Sequence, residues 1–454
     1  MPIDLGLTRI SKLLKLLGSP HLAYSAASSS STTKTAFKTI PAIHIAGTNG
    51  KGSVCSYLSH ILTASNINNG KFTSPHLLTR NDSIQINNVA VDAATFHKVE
   101  DEIVTLDKQN GIGCTEFEIL TCVAFQVFQL YGVEVAIFEV GLGGRMDSTN
   151  VLTPQTLLCC GVTKIGLDHE SLLGSNLAEI AYQKVGIFKN GVPAVIDGSN
   201  DDEVLKVART QAEELNGVEL LEADDKPDTT FGSGLGKLSD YKSGLNGQYQ
   251  FMNLSVALKI VEIVKRNSAF TDRLTKSNVQ RGVSQTRWPG RLQSIDIHLN
   301  KQKTLPILLD GAHNAQASSE LGKYLTDHLR PQSPATNNSL IFIIGMTRGK
   351  ALTHSLFANI IKPGDTVILT KFKPNIEGMP WIKSYDPFVL AKSVEEVVVD
   401  ENKDTKDSVV VREELEDALQ LAWELSHGGE KSKVVVCGSL YLAADVLRLD
   451  LVNR

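Results

Sequence analysis

No apolar run in this chain approaches the roughly 20 residues that a bilayer-spanning helix needs, so a transmembrane protein is not expected. There is no surplus of positive charge either. Lys and Arg number 45 against 50 Asp and Glu, a net charge of −5. That balance excludes a strongly basic chain built to coat nucleic acid or an anionic membrane, while leaving room for a local phosphate pocket. The six cysteines (Cys55, Cys114, Cys122, Cys159, Cys160, Cys437) show no C-x-x-C and no His/Cys grouping at zinc spacing. They read as reduced, mostly buried thiols of a cytosol-like compartment. What remains is ordinary: 42% hydrophobic and 21% charged residues over 454 positions, which suits a globular enzyme of two or three domains.

At the N-terminus, Ile10, Leu13, Leu14 and Leu17 recur at helical spacing, with Arg9, Lys12 and Lys15 opposite and a Ser/Thr-rich tract from Ser25 to Thr35. A basic amphipathic helix followed by serines also describes a mitochondrial transit peptide. Asp4 and the regular apolar stripe point instead to an ordinary surface helix and a flexible loop. A cytoplasmic protein is expected, with a mitochondrial pool as the alternative.

From residue 40 onward, β-branched runs alternate with amphipathic helices. Strands are expected at Ile43–Ala46, Val133–Val140, Leu157–Thr163 and Val192–Ile196, with helices around Glu116–Leu130 and Leu177–Phe188. This is the βαβ pattern of a mostly parallel sheet with helices on both faces. Residues 216–247, rich in Gly, Asp and Ser, read as a loop or small hairpin excursion. A second block offers strands at Leu305–Leu309, Leu340–Ile344, Thr366–Thr370, Val409–Val411 and Lys433–Val436. The expected fold is α/β with two domains in series: residues 1–298, a phosphate-loop domain, and 299–454, a smaller Rossmann-like domain. Ligands are expected at the carboxyl ends of the strands and in the cleft between domains.

Directly after the first strand comes Gly47-Thr48-Asn49-Gly50-Lys51-Gly52-Ser53, opening into a helix. Glycines let the backbone curl so that N–H groups converge on one anion, and the helix N-terminus and Lys51 add positive charge. The spacing departs from G-x-x-x-x-G-K-[ST], because Gly52 separates Lys51 from Ser53. A Gly-rich turn that merely starts a helix is the plainer reading. Glu139 ends an apolar strand where an acidic group could hold Mg²⁺. The guanine-reading N-K-x-D motif is absent, which argues against a GTPase switch. Gly141-Leu142-Gly143-Gly144-Arg145-Met146 lacks the third glycine of a dinucleotide fold.

Together with Phe72-Thr73-Ser74-Pro75-His76-Leu77, Glu139-Val140-Gly141-Leu142-Gly143-Gly144-Arg145, Leu167-Asp168-His169-Glu170, Gln183-Lys184-Val185-Gly186-Ile187, Trp288-Pro289-Gly290-Arg291 and Asp310-Gly311-Ala312-His313-Asn314, the loop makes a series in family order. The chain resembles folylpolyglutamate and dihydrofolate synthases, relatives of the Mur ligases, along nearly its whole length. Cys114-Thr115-Glu116-Phe117-Glu118, Asp147-Ser148-Thr149-Asn150 and Val436-Cys437-Gly438-Ser439-Leu440-Tyr441-Leu442 look most like the fungal dihydrofolate synthase branch.

The resemblance implies ATP binding by Thr48, Asn49, Gly50, Lys51, Gly52 and Ser53, with Asn253 on adenine, Arg291 on phosphates and Asp310 on ribose. It implies catalytic roles for Lys51, Lys184 and His313, the last near the γ-phosphate. Ser74, Glu139 and His169 would be the Mg²⁺ ligands, and Lys184 would be carbamylated. On the residues alone, Ser74 is equally a turn residue, His169 a capping or core histidine and Lys184 a snorkelling surface lysine. Asn253 could be a helix-face or N-cap asparagine, and Asp310 a capped helix start. Carbamylation needs a neutral amine, so the site must offset a pKa of about 10.4, roughly 4–5 kcal/mol at pH 7. Dihydropteroate contacts are implied at Thr115, Glu116, Phe117, Glu118, Met146, Asp147 and Ser148, although each carboxylate could be a solvated loop charge. The implied reaction activates a carboxylate with ATP and joins it to L-glutamate. A monomer acting on small molecules is expected, with no nucleic-acid or membrane partner, and its two domains would close on one ATP.

Overall fold

The computed structural model describes residues 6–21, 40–330, 339–350, 352–398, 408–427 and 433–453. Two units emerge: Met1–His76, Asn81–Gly244 and Gln250–Arg287 in the first, and Leu77–Arg80, Leu245–Tyr249 and Trp288–Arg454 in the second. The main changeover therefore falls after Arg287, ahead of the expected boundary at 298. The physical reason is that Gln293–Asn300 is a strand, not a linker. It pairs antiparallel with Lys303–Leu309, matching Gln293 to Leu309 and Asn300 to Lys303.

In the first unit, an eight-stranded sheet runs in the order Val89–Ala90, Ile84–Ile86, Asn69–Phe72, Val135–Glu139, Ala42–Ala46, Leu157–Val162, Ala194–Asp197, Leu220–Ala223. The six strands from Asn69–Phe72 onward are parallel, and the two at the other edge fold back antiparallel. Ala42–Ala46 and Val135–Glu139 are buried at every position, which is why they read as continuous apolar runs rather than alternating ones. Leu220–Ala223 lies within the segment expected to be a loop excursion. It is an edge strand of the main sheet, and the small hairpin is confined to Thr230–Phe231 and Gly236–Lys237.

Two helices in this unit carry later arguments. Glu116–Leu130 starts from a capping box: the Glu118 N–H donates to Thr115 Oγ1 at 3.2 Å, and the Thr115 N–H donates to Glu118 Oε2 at 2.7 Å. Leu177–Lys184 is α-helical and tightens to a 3₁₀ turn over Val185–Ile187. At the N-terminus, Thr8–Leu16 buries Ile10, Leu13 and Leu14 completely in the same core. The expected flexible loop, Ser25 to Thr35, lies outside the described residues.

The second unit holds a six-stranded sheet in the order Gln293–Asn300, Lys303–Leu309, Lys433–Cys437, Leu340–Ile344, Thr366–Leu369, Val409–Val411. All its pairings except the first are parallel. Helices on both faces close two apolar clusters, one around Phe342 and Phe357 and one around Ile343 and Phe372. This is the Rossmann-like domain that the strand spacing implies. No helix among the described residues is long and apolar enough to cross a membrane.

Candidate active site

In a parallel sheet the loops at the carboxyl ends of neighbouring strands share one edge. The central strand Ala42–Ala46 delivers the glycine loop there, flanked by Val135–Glu139 on one side and Leu157–Val162 on the other. The loop's shape depends on two glycines. Gly47 has φ 145° and a Cβ there would lie 1.9 Å from Thr163 Oγ1. Gly50 has φ 95°, a left-handed conformation, and a Cβ would lie 2.2 Å from Asn253 Oδ1.

The N–H groups of Thr48 and Asn49 do not face an anion. Both donate to the Lys164 carbonyl, at 2.9 and 3.1 Å. The Thr48 hydroxyl donates to the Gly166 carbonyl and accepts from the Gly166 N–H, each at 3.1 Å. Thr48 therefore ties the loop to the next strand's exit. The first-turn N–H groups from Gly50 to Ser53 are the ones that a helix N-terminus leaves for a phosphate. Lys51 Nζ donates to the Thr48 carbonyl at 3.2 Å and stands 3.8 Å from Glu139 Oε1.

Asn253 reaches this loop from the helix Tyr249–Val264. Its Nδ2 donates to Gln250 Oε1 at 2.9 Å, and Gln250 Nε2 donates to Ser53 Oγ at 3.3 Å. Gln250 is fully buried and links Asn253 to the helix that the loop opens. Sequence reasoning singled out Asn253 and passed over Gln250. Its i−3 spacing on the same helix face was the available signal.

Lys184 is 5% exposed and donates from Nζ to the Gly47 carbonyl at 2.9 Å. It is therefore not a snorkelling surface lysine. Burial, reinforced by the nearby Lys51 charge, pulls its pKa down to about 7, and Asp168 and Asp147 oppose this. A second buried lysine was not anticipated. Lys71, in the strand Asn69–Phe72, is 1% exposed, and burial lowers its pKa to about 8 against the opposing charges of Cys55 and Glu139. A lysine inside a strand buried at every position was the missed signal.

The three implied metal ligands follow three strands of this one sheet. Ser74 comes after Asn69–Phe72, Glu139 ends Val135–Glu139, and His169 follows Leu157–Val162 in a left-handed conformation with φ 54°. Glu139 is buried and His169 is exposed. Among the described residues no three His, Cys, Asp or Glu side chains group as a metal cage. The hydroxyl and carboxylate oxygens suit Mg²⁺, a hard cation that keeps waters and phosphate oxygens as its remaining ligands, whereas the imidazole of His169 is an unusual ligand for it.

The implied pterin residues divide. Glu116 and Met146 are exposed, Phe117 is half-buried and stacks on Phe72 with ring centroids 5.8 Å apart. Ser148 Oγ is buried 2.6 Å from Thr121 Oγ1. Glu118 and Asp147 are not solvated loop charges. Glu118 closes the capping box and accepts from Arg9 Nε at 3.0 Å, while its Oε1 is buried without a hydrogen-bond partner among the described residues. Asp147 accepts from the Leu142 N–H, the Thr149 N–H and the Thr149 hydroxyl, and burial raises its pKa. Thr149 Oγ1 lies 2.8 Å from His44 Nε2, extending this buried network into the central strand.

In the second unit, Asp310 is buried and accepts from the Leu292 and Ala312 N–H groups, both at 2.8 Å. Burial raises its pKa while Arg291 opposes. Asp310 thus ties the Trp288-Pro289-Gly290-Arg291 turn to its own loop, and the helix start Asp310 was read as a cap for belongs to Asn314, which accepts from the Ala317 N–H at 2.8 Å. His313 Nδ1 donates to the Gly311 carbonyl at 2.9 Å, which fixes the ring's tautomer.

Comparisons with known proteins find relatives along nearly the whole chain. The family described as "Dihydrofolate synthetase, C-terminal domain" matches residues 293–449. The dihydrofolate synthetase of Saccharomyces cerevisiae is 39% identical over 99% of this chain and 98% of its own length. A probable dihydrofolate synthetase of Schizosaccharomyces pombe is 37% identical over 99% of each chain. The structure of Mycobacterium tuberculosis folylpolyglutamate synthase complexed with ADP and AMPPCP superposes with a TM-score of 0.78 at 27% identity. That likeness covers 99% of this chain and 96% of the other.

Proposed function

Because the chain belongs to the dihydrofolate synthetase and folylpolyglutamate synthase family of ATP-dependent ligases, we propose that it joins L-glutamate to 7,8-dihydropteroate, giving 7,8-dihydrofolate, ADP and phosphate. The observation that carries this reading is the chain-long similarity to two dihydrofolate synthetases. The lower identity to a folylpolyglutamate synthase leaves extension of tetrahydrofolate as the second reading. The proposal includes a monomeric cytoplasmic enzyme, an expectation from composition and family.

A carboxylate repels an amine, so it must first be activated. The benzoate oxygen of dihydropteroate attacks the γ-phosphorus of ATP, and ADP leaves. The glutamate amine then attacks the acyl carbon and gives up a proton, and phosphate departs with its bonding pair. In this reading, first-turn N–H groups and Lys51 hold the β- and γ-phosphates and oppose the charge that builds during transfer. Ser74, Glu139 and His169 would hold Mg²⁺, which shields the phosphate charges when bound. Asn253 would take the adenine, supported by the Gln250 hydrogen bond that orients its amide. Arg291, Asp310 and His313 would serve the nucleotide from the second unit.

Carbamylation of Lys184 is supported by the burial that pulls its pKa down and so favours the neutral amine. Glu118 Oε1, with Phe117, Met146 and Ser148, supports a pterin site beside the Glu116–Leu130 helix start. Asp147 would shape that site as the anchor of its loop. Incorporation of radiolabelled glutamate tests the whole proposal. Product and stoichiometric ADP should form only when ATP, dihydropteroate and glutamate are all present. ADP release that ignores the acid and the amine would contradict it.

A further inference from the structure

Next to the loop that Asp147 anchors, the first unit holds a cavity of about 420 Å³. Its walls include Arg145, Asn150, Phe188, Lys189, Gln211 and Leu215. Two of the lining residues are cations and none is a carboxylate. Among the described residues neither cation makes an ion pair. The Arg145 guanidinium is held in place by hydrogen bonds from Nη2 to Gln211 Oε1 at 2.6 Å and to the Tyr182 carbonyl at 3.3 Å, and its Cζ lies 3.9 Å above the Tyr182 ring. Its Nε is buried with no hydrogen-bond partner among the described residues.

Lys189 Nζ donates to Asn150 Oδ1 at 2.7 Å, which occupies one of three N–H bonds. Burial depresses its pKa, with Cys160 opposing and the Arg145 charge adding to the depression. Two fixed cations that repel each other, lining one cavity with neutral amides and no carboxylate, are a poor arrangement for an empty surface dimple. They suit an oxyanion, for which the guanidinium fork and the ammonium both provide charge-assisted hydrogen bonds. The volume lies within the range of small-molecule sites, and Phe188 and Leu215 offer apolar wall to a ligand larger than a bare ion.

We propose that this cavity is a binding site for a small organic anion, held through a phosphate or carboxylate group by Arg145 and Lys189. Asn150 gives the site a reach beyond itself. Its Nδ2 donates to the Arg145 and Gly186 carbonyls at 2.9 and 3.2 Å, in the loop that bears Asp147 and in the 3₁₀ turn that follows Lys184.

Competitive acetylation of lysines, read residue by residue by mass spectrometry, tests the site on the full chain. ADP and Mg²⁺ fill the phosphate loop, and NaCl holds ionic strength constant. Inorganic phosphate and glutarate are the two probes. Labelling of Lys189 should fall at least about threefold at saturating probe, while the exposed Lys206 is unaffected. Protection by phosphate alone identifies a phosphate-bearing ligand, and protection by glutarate alone a carboxylate-bearing one. The protection should vanish in Arg145→Gln. Unchanged Lys189 labelling with both probes overturns the proposal, as does protection that persists in Arg145→Gln.

Discussion

Lys184 and Glu139 are both buried, yet burial acts on them to opposite purpose. For Lys184 the low dielectric favours the neutral amine that reacts with CO₂. In ¹³CO₂-equilibrated buffer, a carbamate carbon should appear by ¹³C NMR and be missing from Lys184→Met, which should also lose most ligase activity while keeping the fold. Wild-type turnover by that variant would remove the carbamate from the account. In CO₂-free buffer the sign of the pH effect is fixed. Between about pH 7 and 10.5 the unfolded lysine binds a proton that the folded one has shed, so wild-type stability rises with pH across that window. Urea midpoints should show this rise flattened in Lys184→Met. For Glu139, which faces Lys51, the proposed role as a Mg²⁺ ligand rests on the charge itself. Glu139→Gln keeps the shape, and turnover should fall at least about a hundredfold, or about 2.7 kcal/mol. Near-normal turnover across a Mg²⁺ titration would show that the carboxylate is not a ligand.

At the scale of elements, the loop and its helix work only if the backbone turns sharply at Gly50. Gly50→Ala forces a Cβ into the left-handed region and onto Asn253 Oδ1. The KM for ATP should rise at least about tenfold, a loss of about 1.4 kcal/mol, with Asn253 displaced. An unchanged KM would mean that Asn253 does not depend on this approach. Much of this level could be read beforehand. The helix at Glu116–Leu130 and the strands at Leu340–Ile344 and Val409–Val411 fall where periodicity put them, because caps and apolar runs mark their ends. Leu220–Ala223 escaped because a short, half-solvated edge strand is hard to tell from a loop, whereas Gln293–Asn300 carries a plain alternation of Ile295, Ile297 and Leu299 with polar residues that the boundary set at 298 cut across. In the candidate site, the placement of Lys51 and Glu139 side by side at the strand ends was legible from motif and strand context. What Thr48, Asp147 and Asp310 do for their own loops was not, since a carboxylate that accepts backbone N–H bonds looks in sequence like one that binds a ligand.

For the molecule as a whole, the family's shared chemistry leaves one question of identity, which is the acceptor. Dihydropteroate ends in a benzoate carboxylate, whereas an extending enzyme receives a folate already carrying glutamate. In each case the acceptor's own terminal carboxylate must meet the same γ-phosphate, so the pterin ring has to lie at a different depth. The candidate segments, Thr115–Glu118 and Met146–Ser148, are built on a capped helix and an anchored turn. Such a rigid frame favours one acceptor length over another. The direct measurement is kcat/KM for 7,8-dihydropteroate against tetrahydrofolate, with radiolabelled L-glutamate and saturating ATP and Mg²⁺. A preference of at least about tenfold for dihydropteroate, worth about 1.4 kcal/mol in the transition state, is the predicted result. Equal or better use of tetrahydrofolate would contradict the account and make this chain an extending or bifunctional enzyme.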